Sequence, residues 1–130
     1  MSSEAPVEKE EVEALIRTII ERGSAYDLPA LEALYSDDLQ TMRVAADGSI
    51  RISDKGDTLR FFRTMREAGS APLSTAARIR VTEVRDGRAH ALVLRETQTE
   101  GMPRRLVFSI DCIRENGVWR VRREVGVAQP

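Results

Sequence analysis

Ser109-Ile110-Asp111-Cys112-Ile113-Arg114-Glu115, then Asn116-Gly117, then Val118-Trp119-Arg120-Val121-Arg122-Arg123-Glu124-Val125 is the stretch that decides the fold. Apolar and polar residues alternate on both sides of Asn116-Gly117, which is the period of a half-buried strand. Asn-Gly favours a two-residue type I′ turn, because both central positions need a positive φ. Counting back from that turn pairs Glu115 with Val118, sets Asp111 opposite Arg122 and sets Ser109 opposite Glu124. Those four polar residues share one face. The other carries Phe108, Ile110, Cys112, Trp119, Val121 and Val125, with Arg114 and Arg123 as its charged members, and is too apolar to be left in water.

Upstream, Asp86-Gly87 is a second turn of the same kind. Its count pairs His90 with Glu83, Leu92 with Val81 and Leu94 with Ile79. A bend at residues 100–103 joins the two hairpins; pairing Thr99 with Arg104 puts Leu92 beside Asp111, so an apolar patch continues into the Asp111 face. The first half of the chain is helical in period. Val12, Leu15, Ile16, Ile19 and Ile20 make one stripe that ends at Gly23. Asp27 caps a short second helix with Pro29 in its first turn and Leu28, Leu31, Leu34 and Tyr35 as apolar positions. Leu39 to Val44, the Asp47-Gly48 turn and Ile50 to Ile52 form a short hairpin. Ser53 or Asp54 then caps a third helix with Leu59, Phe61, Phe62 and Met65 on its apolar side, stopped by Gly69 and Pro72.

The order is helix, helix, short hairpin, helix and a four-strand meander: a single α+β domain over residues 1–130, with 1–6 and 128–130 as loose tails. Charged residues make up 32% of the chain and the formal net charge is -1, so there is no bulk attraction to nucleic acid or to an anionic membrane. One cysteine, Cys112, excludes an intrachain disulfide and the usual cysteine zinc sets. With no apolar leader or membrane span, the expected location is the cytoplasm. Absence of a P-loop, a dinucleotide fingerprint and HExxH argues against nucleotide and metal enzymes, so no cofactor and no metal are expected.

The stretch Asp27-Leu28-Pro29-Ala30-Leu31-Glu32-Ala33-Leu34-Tyr35-Ser36-Asp37-Asp38, followed by a strand, a glycine turn and a capped helix, resembles the opening half of nuclear transport factor 2-like (NTF2-like) domains. Ser109 to Arg114 followed by Asn116 to Val121 resembles their closing hairpin. The resemblance covers about residues 10 to 127. It implies a cone of the cystatin-like type, three N-terminal helices packed on a curved antiparallel sheet, as in SnoaL-like and ketosteroid isomerase-like proteins. Its motifs specify the fold and not one activity.

Two arrangements of the hairpin faces follow. In one, the helices cover the Trp119 face and the Asp111 face is solvated. In the other, favoured because the resemblance places the acid matching Asp111 inside the cone, the helices close over the Asp111 face. The pocket then holds Asp111, Arg122, Glu124, Ser109 and His90, with Tyr35, Phe62 and Met42. Trp119, Phe108, Ile110, Cys112, Val121, Val125 and Arg123 meet a second copy.

The resemblance also implies that Asp111 matches the protonated acid of ketosteroid isomerases. The match ends there, with Ile19 at their tyrosine position and Met42 or Arg43 at their base. An Asp111 facing Arg122 is expected to accept hydrogen bonds and not donate one, which argues against that chemistry. The function expected is a homodimeric domain holding a small organic or anionic ligand in the cone. The alternatives are a cofactor-free lyase, isomerase, hydrolase or polyketide-cyclase-like enzyme, with Asp111 and His90 or Glu124 as its acid-base pair, and a pure protein-interaction module.

Overall fold

Val12, Leu15, Ile16, Ile19 and Ile20 lie buried along α1 (Glu4–Ser24), the stripe that their spacing requires. The helix starts at Glu4, inside the stretch expected to be loose. In α2 (Leu28–Leu34), the Asp27 side chain accepts from the Ala30 N–H. β1 (Tyr35–Val44) and β2 (Ile50–Asp54) flank the Gly48 turn, and Asp54 caps α3 (Lys55–Glu67) through a reciprocal box with Asp57. The meander is β3 (Ala77–Arg85), β4 (Arg88–Thr99), β5 (Met102–Glu115) and β6 (Val118–Ala128). Its two type I′ turns are formed as expected, with Asp86, Gly87, Asn116 and Gly117 all at positive φ. These elements come from a computed structural model that describes residues 4–99 and 102–129. No helix among them is long and apolar enough to cross a membrane.

The strands form one six-stranded sheet in the order β2-β1-β6-β5-β4-β3. It is mixed: every neighbouring pair is antiparallel except β1 and β6, which run parallel. That pairing joins strands separated by α3 and the whole meander, long enough for the crossover a parallel pair needs, and no local turn encodes it.

Register departs from the turn counts at three places. In the last hairpin, Glu115 pairs with Val118 and Cys112 with Val121, but Asp111 then pairs with Arg123, leaving Arg122 as the extra residue of a bulge. Between β3 and β4, Glu83 pairs with His90 and Val81 with Leu92, but Ile79 pairs with Val93, so Arg80 is also extra and Ile79 turns to the opposite face. Thr99 pairs with Met102, not Arg104, and His90 instead of Leu92 stands opposite Asp111. Glu100 and Gly101 lie outside the described residues. This last slip is two residues, so it leaves every side chain on its expected face. At the other end of the sheet, the Gln129 N–H donates to the Arg105 carbonyl, which ties down the expected tail.

The helices cover the Trp119 face, which reverses the favoured arrangement. Trp119, Phe108, Ile110, Cys112 and Val121 are core residues, packed with the α1 stripe and with Leu31, Tyr35, Ala89, Ala91 and Val93. The α1 stripe can be buried only against an apolar surface, and this face is the more continuous one. Asp111, Ser109, His90 and Met42 consequently stand on the open side of the sheet. Val125 and Arg123 stand there too, separated from Trp119 and Val121 because the Arg122 bulge inverts the alternation of β6.

Candidate functional site

The same bulge determines what the cone contains. Trp119 and Val121 face the helices, and in an unbroken alternation from Val121 Glu124 would face away. Because Arg122 is left out of the ladder, Glu124 pairs with Ile110 and Thr41 and points inward. Beside it, Gly126 is flanked by Phe108 on β5 and Arg43 on β1. A methyl group at position 126 would stand 2.8 Å from the Phe108 ring and 3.2 Å from the Arg43 stem, so only glycine lets these two side chains meet across the strand. The Arg43 guanidinium carbon lies 4.7 Å from the Phe108 ring centroid, and that of Arg95, which enters from β4, lies 5.9 Å away.

Over this floor lies a cavity of about 590 Å³. α1 contributes Ile19, Ile20 and Gly23, α3 contributes Phe61, Phe62 and Met65, and the chain after α3 adds Ser70, Ala71 and Leu73. Sheet residues Val93, Leu106, Phe108 and Ile110 complete an apolar wall around Tyr35, Arg43, Arg95 and Glu124. The segment after α3 is fastened by the Tyr26 hydroxyl, which donates to the Ala71 carbonyl at 2.8 Å, and by the Leu73 N–H, which donates to the Ser24 carbonyl.

Glu124 is buried; the Tyr35 hydroxyl donates to it at 3.5 Å and the Arg43 guanidinium forms an ion pair with it at 3.8 Å. Burial pushes its carboxyl above the ordinary range, while Arg43, Arg95 and the Tyr35 hydrogen bond pull it back down. Burial, then the Glu124 charge, raise the Tyr35 phenol well above its usual value, so it stays neutral at physiological pH. Burial also lowers Arg95, with Glu124 acting the other way. The Arg95 Nη2 group donates to the Ser74 carbonyl at 2.7 Å and to the Ser24 hydroxyl at 3.3 Å. Its Nε–H is buried without an acceptor. The site thus combines a largely apolar cleft with one convergent charged floor, the usual composition of a small-molecule pocket.

Of the eight pocket residues expected from sequence, Glu124, Tyr35 and Phe62 come together here. Asp111 and Arg122, with Arg123, line an open, mostly charged depression with Asp38 and Gln40 on the far side of the sheet. The Ser109 hydroxyl meets His90 Nε2 at 2.7 Å on that far side, and Met42 lies in the same row as Ser109. Among the described residues Asp111 makes no ion pair. The Cys112 thiol, pushed up to about 12 chiefly by burial, is not a nucleophile at neutral pH. Among the described residues no group of three or more His, Cys, Asp or Glu side chains is placed to hold a metal.

Arg43 and Arg95 were absent from the expected pocket. The signal for Arg95 lay in the Asp86-Gly87 count, which puts it on the Ala89, Ala91 and Val93 face; choosing the wrong face as the interior hid it.

Neither a protein-family model nor a curated protein matches the sequence. Solved structures do match. An NTF2-like protein of unknown function from Silicibacter pomeroyi DSS-3 superposes with a TM-score of 0.73 at 18% identity, over 92% of this chain and 94% of that one. Another, from Shewanella baltica OS155, gives 0.74 at 14% identity over 95% and 94%. A ketosteroid isomerase-like protein from Erwinia carotovora atroseptica SCRI1043 gives 0.67 at 15% identity over 95% and 98%. Three helices on a curved six-stranded sheet, matched over nearly the full length of each, give this chain the NTF2-like fold.

Proposed function

We propose that this domain binds a small, largely apolar organic molecule in the cone between α1, α3 and the sheet. The observation that carries the reading is the cavity of about 590 Å³, apolar around most of its wall, with Tyr35, Arg43, Arg95 and Glu124 converging on its floor. Gly23 offers the test. A Cβ there meets Phe62 and Leu31 only at ordinary contact distances of 3.7 and 3.8 Å, so Gly23→Leu fills the cavity from α1 and favours the helix as well. The wild type should bind the neutral fluorophore N-phenyl-1-naphthylamine, and Gly23→Leu should bind it at least tenfold more weakly. Equal binding by both proteins, or none by the wild type, overturns the reading.

A specific observation also favours pairing of two copies through the open face of the sheet. Direct cross-strand partners there form two apolar rows, Ile52-Met42-Val125-Ser109-Leu92-Val81 and Ile50-Val44-Val127-Val107-Leu94-Arg78. Ile50, Ile52, Val81, Leu94 and Val127 are exposed. A third row bears Glu83, Asp111 and Asp54 together with Arg123, charges of both signs that a two-fold related copy can meet.

A further inference from the structure

Among the described residues three charged side chains line the cone: Arg43, Arg95 and Glu124. With Glu124 ionised the floor carries one net positive charge, and with Glu124 protonated it carries two. Arg43 is the nearer partner of Glu124, and its side chain is 45% exposed, so water shares its charge. Arg95 is different. Its hydrogen-bond acceptors are a hydroxyl and a carbonyl, both neutral, and its Nε–H is buried with no acceptor at all. Among the described residues no carboxylate lies within ion-pair distance of it. A guanidinium taken out of water without a counter-charge is destabilising, and so is a buried donor left unmade. Both deficits belong to one side chain that lines the cavity.

The geometry points to a monocarboxylate with an apolar body as the class of ligand, its carboxylate seated on Arg95 and its body under Ile19, Ile20, Phe62 and Met65. The inference rests on the cone being a ligand site. A carboxylate supplies the missing charge and can accept from Nη1, which makes no hydrogen bond among the described residues, and Arg in turn suits a carboxylate because its donors are fixed in one plane. With Glu124 ionised a dianion fits worse, since the one net positive charge of the floor balances one negative charge. A neutral amide of the same shape offers an acceptor but no charge.

The test is a ligand series on one body: 2-naphthylacetate, 2-naphthylacetamide and 2-naphthylmethylphosphonate, titrated at pH 8 where the phosphonate is a dianion. The carboxylate should bind the wild type at least tenfold more tightly than either of the others. In Arg95→Met, which keeps the length and apolar stem of the side chain, its affinity should fall to that of the amide while the amide is unchanged. Should that variant fold poorly, the wild-type series decides by itself, and Arg95→Lys should retain part of the carboxylate preference. Equal binding of carboxylate and amide, or tightest binding of the phosphonate, overturns the inference and leaves the cone a ligand site. So does failure of the carboxylate to bind a protein that still takes up the neutral fluorophore. If neither the series nor the fluorophore binds, both readings fall.

Discussion

Each face of this sheet departs at one place from the usual distribution of side chains. Around the cavity the covered face holds two arginines and a glutamate among its apolar groups, whereas the open face carries, beside a charged row, two rows of mostly aliphatic residues. A solvated antiparallel sheet ordinarily keeps charge on the open side and apolar groups within. Each departure has its own meaning. On the reading proposed above, the charge beneath the helices meets a ligand and the apolar rows meet a second copy.

The largest way to break this comparison is to place the same charge on each face in turn. Trp119 is 7% exposed and packs in the core, so Trp119→Arg loses its burial and introduces an unpaired cation. The expected loss is about 3–5 kcal/mol in urea unfolding. Leu94 is 37% exposed on the open face, and Leu94→Arg should change stability by roughly 0.5 kcal/mol while shifting sedimentation from dimer to monomer. A stable, folded Trp119→Arg would show that the faces are assigned the wrong way round.

β6 carries the bulge between the two faces. Deleting Arg122 removes the extra residue and leaves the partners unchanged, Asp111 with Arg123, Ile110 with Glu124 and Phe108 with Gly126, so every side chain keeps its face. Deleting Val125, beyond the bulge, instead turns Gly126 outward and Val127 inward. The Val125 deletion should cost roughly 2–4 kcal/mol in urea unfolding, because a parity change moves the side chains beyond it to the wrong face, and the Arg122 deletion should cost less. Arg122→Ala, which keeps the extra residue, should stay near wild type. A Val125 deletion as mild as the alanine substitution would mean that β6 can slip without penalty.

What could be read in advance follows the same line. The hairpins, the α1 stripe and the caps at Asp27 and Asp54 were legible because each is encoded within a few residues. The pairing of Glu115 with Val118 was countable from the turn for the same reason. The bulges at Arg80 and Arg122 were not, since neither position carries a glycine or any other local mark, and the strain of an extra residue is balanced by packing from distant elements. Alternation of period two also identifies two faces without saying which is inside. That choice belongs to the helices, whose apolar stripe selects the more continuous apolar surface. Asp111, Ser109 and His90 were therefore misplaced together, and Glu124 fell inside only because of the bulge, whereas Tyr35 and Phe62, placed by helical spacing, fell where expected.

The smallest effect sharpens the inner face, and its sign is the informative part. Burial holds the Glu124 carboxyl above its unfolded value against the pull of Arg43, Arg95 and Tyr35. A carboxyl raised in the folded state contributes stability in full below the unfolded value of about 4.3 and loses it as pH rises through the folded value. Each unit of such displacement is worth about 1.4 kcal/mol. Glu124→Gln does not titrate, so the stability of the wild type relative to this variant should fall as pH rises from 4 toward neutrality, measured by urea unfolding at successive pH values. A wild-type advantage that grows with pH would mean that the two guanidiniums outweigh burial. The floor would then be a satisfied ion cluster, and Arg95 would no longer be the charge without a partner.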